Sequence, residues 1–327
     1  MMFIEAASKG RNDVWRYVIA VPVFCLVVGL DVLFLILATL VSVWVFKDAH
    51  GLIDALDLFA AGVQDPWRWG QPYSTADAMF FAAYLVSVFL LALGPVAAVR
   101  YLHKRPVRSL VVGDRGFRWG LFGRSFLIGL VGLGAGTAVE FVANGESYRI
   151  TSDLGAFLTL AAIVLVLVPL QVLGEEVIFR GYILQSVAWF SRLPAVRLLV
   201  PAVLFFGIHL GGKEMSEGGP GFVTHYVIVS LYLTWLAMRT DGLEAGLGLH
   251  IAINYVAMSI VTDDARTVSL PALFFAAEPA MDALPLGALW LIAIHYWWVI
   301  RGRFPVDQTR TPVGTSGNPA SSHNESS

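Results

Sequence analysis

Glu175, Glu176 and Arg180 fall within six residues of one another in the stretch Leu170-Gln171-Val172-Leu173-Gly174-Glu175-Glu176-Val177-Ile178-Phe179-Arg180-Gly181, which is otherwise almost wholly apolar. An ionisable group at the centre of a membrane helix costs roughly 2.5 to 3.5 kcal/mol on insertion scales, so such a cluster needs a reason. Glu176 and Arg180 stand at i and i+4 with the acid before the base, the order in which a helix lets the two pair and neutralise one another. Glu175 has no such local partner. It sits about 100° further round the helix, free to face a different neighbour or a water-filled cavity. Further along, Phe205 is followed by His209 and His250 by Asn254, again inside apolar runs and again four residues apart. A carboxylate, two imidazoles and a carboxamide are what hydrolysis of an amide by water requires. One group must deprotonate the water, and others must donate hydrogen bonds to the oxyanion.

The chain that has to position these groups is 327 residues long, 57% hydrophobic and 14% charged, with a mean hydropathy of +0.70. Soluble domains run near about 25% charged, so the composition predicts an all-α, polytopic membrane protein. A formal charge of -2 offers no basic surface for nucleic acid, which is set aside as a partner. The single cysteine, Cys25, lies in an apolar run and leaves no intramolecular disulfide or thiolate zinc site. With roughly 20 apolar residues per crossing, eight spans are predicted, at about 15–46, 78–99, 119–142, 154–190, 196–211, 222–238, 243–262 and 286–300. The first is too long and too continuous for a cleaved signal peptide and reads as a permanent anchor.

The apolar run pauses at Ser191-Arg192-Leu193-Pro194 and then resumes, which predicts an antiparallel helical hairpin. Glu175 lies 17 residues before Arg192 and His209 lies 17 after it, so both sit at one depth, about 25 Å from the turn. His250 and Asn254 share one face of the seventh span, with His250 about 12 Å from the loop at Asp241-Gly242. Counted on alternate sides of the spans, fifteen Lys and Arg stand on the side of the termini against five on the other. Cytoplasmic loops collect these residues, so both termini are expected in the cytoplasm.

Three motifs in this order, EExxxR at Glu175-Glu176 to Arg180, FxxxH at Phe205 to His209 and HxxxN at His250 to Asn254, resemble the CAAX protease and bacteriocin-processing family of intramembrane proteases, which includes the Rce1-type prenyl-protein endopeptidases and the bacterial Abi proteins. The resemblance covers about residues 155 to 262. It implies an endopeptidase in which Glu175 and His209 activate the attacking water, His250 and Asn254 stabilise the oxyanion, and Glu176, Arg180 and Phe205 support the site. It also implies either a zinc ion held by Glu175, His209 and His250 or glutamate-activated water without a metal, and the sequence leaves both open. The substrate expected from it is a membrane protein or lipidated peptide, such as a prenylated CAAX terminus, and the expected place is a plasma membrane of bacterial inner-membrane type. Two further readings of the same polar groups are a proton-coupled transporter and a non-catalytic immunity or scaffold protein.

The chain then divides into an N-terminal three-span region (1–142), a catalytic core (143–262), a last loop and span (263–306) and a disordered tail (307–327). Gly132 and Gly136 form a small-xxx-small pair that predicts close helix packing in the third span. His50, His103 and His323 read as solvent-facing, His225 and His295 as interfacial or satisfied core residues, and Asp31 as a polar residue without an evident role.

Overall fold

In a computed structural model, residues 3–46, 75–113, 116–151, 153–212, 215, 219–263, 270–276 and 284–297 are described. The acidic first loop, His50, His323, the end of the eighth expected span and the tail 307–327 lie outside them. The helices are α1 Val14–Phe46, α2 Thr75–Leu90, α3 Leu93–Ala97, α4 Trp119–Asn144, α5 Leu154–Glu176, α6 Leu184–Phe190, α7 Pro194–His209, α8 Gly219–Thr240, α9 Glu244–Ser259 and α10 Leu284–His295. Five helical stretches among the described residues are long and apolar enough to cross a bilayer: Val14–Ser42, Ala78–Leu102, Trp119–Ala143, Leu154–Phe190 and Pro220–Thr240. The other three expected spans coincide with the shorter helices α7, α9 and α10. The protein is thus an all-α, multi-pass membrane protein.

One small sheet is added to this, and apolar periodicity gave no sign of it. Its strands are β1 Tyr148–Ile150, β2 Val261–Asp263 and β3 Phe274–Ala276. β3 lies in the middle, antiparallel to β1 and parallel to β2. The sheet ties together the chain leaving α4 and the chain leaving α9, at the end of the bundle away from the Asp241-Gly242 turn. Phe141 closes over it, with ring centroids 5.8 Å from Tyr148 and 5.0 Å from Phe274.

The long fourth segment is helical throughout but not uniformly α. Asp153 caps its start, its carboxylate accepting from the Ala156 N–H at 2.8 Å. Pro169 lacks an N–H, so the carbonyl of Leu165, four residues earlier, is released from the helix ladder. That carbonyl accepts from the Tyr255 hydroxyl of α9 at 2.8 Å. Beyond Glu176 the backbone widens into a π-helical stretch, Val177–Ile183, before α6 begins. Such stretches recur where helices carry function.

Contact between backbones fixes how the bundle closes. A Cβ on Gly248 of α9 would run into the Phe122 carbonyl of α4 and lie 2.9 Å from the Phe126 nitrogen; one on Gly174 of α5 would lie 2.7 Å from both the Phe89 Cα and the Val88 oxygen of α2. Glycine is therefore what lets α4 press on α9, and α2 on α5. The expected Gly132/Gly136 pair is corrected accordingly. A Cβ on Gly132 would lie 3.0 Å from Leu291 of α10, but one on Gly136 would meet nothing within 4 Å, because the tight contact of α4 is made on its α9 face.

The end of the bundle that holds the N-terminal segment differs from expectation at His103, which is 1% exposed rather than solvent-facing. Its ring lies between the Arg11 carbonyl at 2.9 Å and the Tyr182 hydroxyl at 3.1 Å. The reason is the short 3-10 helix Phe3–Lys9, with Phe3 fully buried, which folds back under α6 and α8. His295 is fully buried, with the Tyr232 hydroxyl 2.8 Å from its Nδ1 but no hydrogen-bond partner for its Nε2 among the described residues, so it is a core residue only half satisfied. Asp31 of α1 is buried and accepts from the Ser87 hydroxyl of α2 at 2.7 Å.

Candidate active site

Four helices converge on the charged cluster. α5 brings Glu175, Glu176 and, through its π extension, Arg180; α7 brings Phe205 and His209; α8 brings Ser230, Thr234 and Tyr226; α9 brings His250 and Asn254. Glu176 and Arg180 are fully buried and paired at 3.0 Å. A charge there requires full compensation. Arg180 receives it from the Glu176 carboxylate, from the Ser230 carbonyl at 3.3 Å and the Thr234 hydroxyl at 3.4 Å, and from the face of Phe205, 4.1 Å from the guanidinium carbon.

The same Glu176 oxygen that meets Arg180 also meets His250, whose Nδ1 lies 2.9 Å away. A carboxylate can only accept, so this nitrogen carries the proton and donates. The other ring nitrogen, Nε2, then faces Glu175, 3.5 Å from its Oε2. Glu176 thus fixes the tautomer and the ring plane of His250, as a carboxylate does for a histidine in hydrolases and metal sites. One turn further along α9, the Asn254 amide donates to Gln171 at 3.0 Å.

His209 occupies a different position. Its Nδ1 donates to its own helix, to the Phe205 carbonyl at 2.8 Å, which leaves Nε2 as the free lone pair. Its ring packs between Phe205 and Tyr226, at 4.8 Å from each. It reaches the rest of the cluster through Phe205, whose ring also lies 5.8 Å from that of His250. The imidazole within 4 Å of Glu175 is that of His250, not His209. All seven residues expected from the motifs therefore share one neighbourhood, with Glu175 placed against His250.

The zinc set Glu175, His209 and His250 is not assembled. Among the described residues no group of three or more His, Cys, Asp or Glu side chains stands where a metal ion could be held. Each ring has its Nδ1 on an oxygen acceptor and so offers only Nε2, and of the two Nε2 atoms only that of His250 lies within 4 Å of Glu175. As placed, the side chains do not fit the ion.

Sequence reasoning missed Gln171, Ser230, Thr234 and Tyr226. Gln171 carried a signal, as an amide four residues before Glu175 on the same helix face. The α8 residues carried none, because small hydroxyls in membrane helices usually bond their own backbone. Thr234 does so, donating to Ser230 at 2.9 Å.

The groups gathered here define a membrane protein with a buried acid–base centre. Residues 157–256, the stretch that holds every motif residue, match the family model described as type II CAAX prenyl endopeptidase Rce1-like. Among curated proteins, "Uncharacterized protein YyaK" of Bacillus subtilis (strain 168) is 28% identical over 271 residues, covering 81% of this chain and 84% of the relative. No solved structure matches the chain.

Proposed function

We propose that this protein is an intramembrane endopeptidase that cleaves a peptide bond of a membrane-associated protein or lipidated peptide. The observation that carries the reading is the Glu176-tethered His250 presenting Nε2 to Glu175 in a membrane interior, with a carboxamide one turn away. A buried ion pair needs no second carboxylate and no oriented imidazole.

Water bound at Glu175 gives its proton to the carboxylate. Its oxygen attacks the carbonyl carbon, and the C=O electrons move to the oxygen. The proton taken up is shared between Glu175 and the facing His250 Nε2, so that His250, with Asn254, donates a hydrogen bond to that oxyanion. When the C–N bond breaks, the proton held by Glu175 passes to the amine, leaving an acid and an amine and restoring the site. The low-polarity surroundings strengthen each of these electrostatic contacts relative to water. The lysine and arginine asymmetry puts both termini, and the Asp241-Gly242 end of α9, on the cytoplasmic side of a plasma membrane.

The test compares membrane-protein N- and C-termini in cells making wild-type protein or Glu175→Gln at equal abundance. Termini present only with the wild type are products, and they name the substrate. Identical profiles across growth conditions refute the peptidase reading and favour a carrier or binding role.

A further inference from the structure

Glu175 and His250 form one of two rungs between α5 and α9. Gln171 precedes Glu175 by four residues on α5 and Asn254 follows His250 by four on α9, so in this antiparallel pair Gln171 meets Asn254 as Glu175 meets His250. Gln171 is 5% exposed, and its Oε1 accepts from Asn254 Nδ2 at 3.0 Å. A carboxamide has two chemically different ends on one terminal torsion, and that torsion is broad and nearly two-fold in preference. Left alone, Asn254 presents oxygen or nitrogen with similar ease. An acceptor on the facing helix removes the ambiguity. The nitrogen must lie toward α5, and one N–H spent on Gln171 leaves the other available.

We infer that Gln171 is a positioning residue that turns the amide nitrogen of Asn254 toward the α5 side of the site, where the oxyanion forms. The inference rests on the peptidase reading above. Gln171 also holds its own NH2 group beside Asn254 with two donors in hand, so the second rung is donor-rich where the first is proton-accepting. Tight sites of this kind derive their effect from donors fixed before the reaction begins.

The experiment uses the full-length protein in detergent and a synthetic peptide spanning a terminus whose formation in cells requires Glu175. Gln171→Met keeps the volume and removes the acceptor; Gln171→Glu keeps a carbonyl oxygen and removes the NH2. Gln171→Met is expected to lower kcat about 10- to 100-fold, the scale of one misplaced oxyanion donor, with KM changed less than about threefold and an unchanged unfolding midpoint. Gln171→Glu is expected to stay within about fivefold of wild type, because it restores the acceptor. In an Asn254→Leu background Gln171→Met is expected to cost nothing further, since residues acting as a unit are not additive. Three outcomes overturn the inference: wild-type kcat in Gln171→Met, an equal loss in the Asn254→Leu background, or a loss that follows the unfolding midpoint in all variants. Gln171→Leu, a second variant lacking the acceptor, repeats the comparison if the Met variant does not fold. If no terminus requires Glu175, the peptidase reading itself falls and takes this inference with it, a result told apart by the silent wild-type control.

Discussion

Replacing each of the adjacent glutamates by its amide separates the two jobs that the structure gives them. Glu176→Gln leaves Arg180, 0% exposed, with only the Ser230 carbonyl, the Thr234 hydroxyl, the Phe205 face and an amide oxygen around its charge. The amide oxygen, in the place of the one carboxylate oxygen that meets both groups, is left as a neutral acceptor for both Arg180 and the proton on His250 Nδ1. Removing one partner of a buried pair costs about 3 to 5 kcal/mol. The amide keeps one acceptor for Arg180, which places the expected loss near the lower end, about 3 kcal/mol, or more than about a hundredfold in the folding equilibrium. Glu175→Gln touches only a contact of 3.5 Å to His250 at a position 7% exposed, and is expected to change stability by less than about 1 kcal/mol. Unfolding in detergent, followed by the fluorescence of the ten tryptophans, measures both. Glu176→Gln/Arg180→Met should recover most of the loss, because no buried charge remains unpaired. Equal stability of the two single variants, or the larger loss in Glu175→Gln, would refute the division into a structural and a reactive carboxylate. Processing in cells is expected to fail in both, with the fold intact in Glu175→Gln.

Gly248→Ala puts a methyl group against the Phe122 carbonyl and the Phe126 nitrogen, so α4 must move off α9; a large drop in the unfolding midpoint is expected, whereas Gly136→Ala, with nothing within 4 Å, should leave it unchanged. Tyr255→Phe strips the donor from the Leu165 carbonyl that Pro169 frees, and should cost about 1 kcal/mol in the same assay. Beside the N-terminal segment, burial holds the His103 imidazole below its ordinary 6.5. The folded protein prefers the neutral ring, so its contribution is complete above pH 6.5 and is lost as the pH falls through the depressed value. Amide hydrogen exchange in residues 3–12 should therefore quicken on acidification, and His103→Gln should flatten that dependence.

How much of this was legible in the chain differs from one residue to the next. Glu176 with Arg180 could be read directly, because an i, i+4 pair needs nothing but a helix, and the break between the helices at Ser191–Leu193 followed from the pause in the apolar run around Arg192. The helices themselves were equally plain, since an apolar run in lipid has few other ways to satisfy its backbone. The burial of His103 was not, because its cover comes from Phe3–Lys9, far away in sequence. Nor was the sheet, whose three-residue strands are too short to show a pattern.

The sequence by itself determined that this is a membrane protein of helices, that it carries carboxylates, imidazoles and a carboxamide into the apolar interior, and which of them share a helix face. Those properties depend on composition and on spacing along one chain. Only the tertiary structure decided that His250 lies between both glutamates, that His209 stands beyond Phe205, that α8 supplies the remaining acceptors for Arg180, and that Gln171 faces Asn254. Helices apolar on nearly every side give little sign of which face meets which neighbour. That choice is visible in close backbone contact at residues such as Gly248, which seats α9 on α4, and Gly174, which seats α5 on α2.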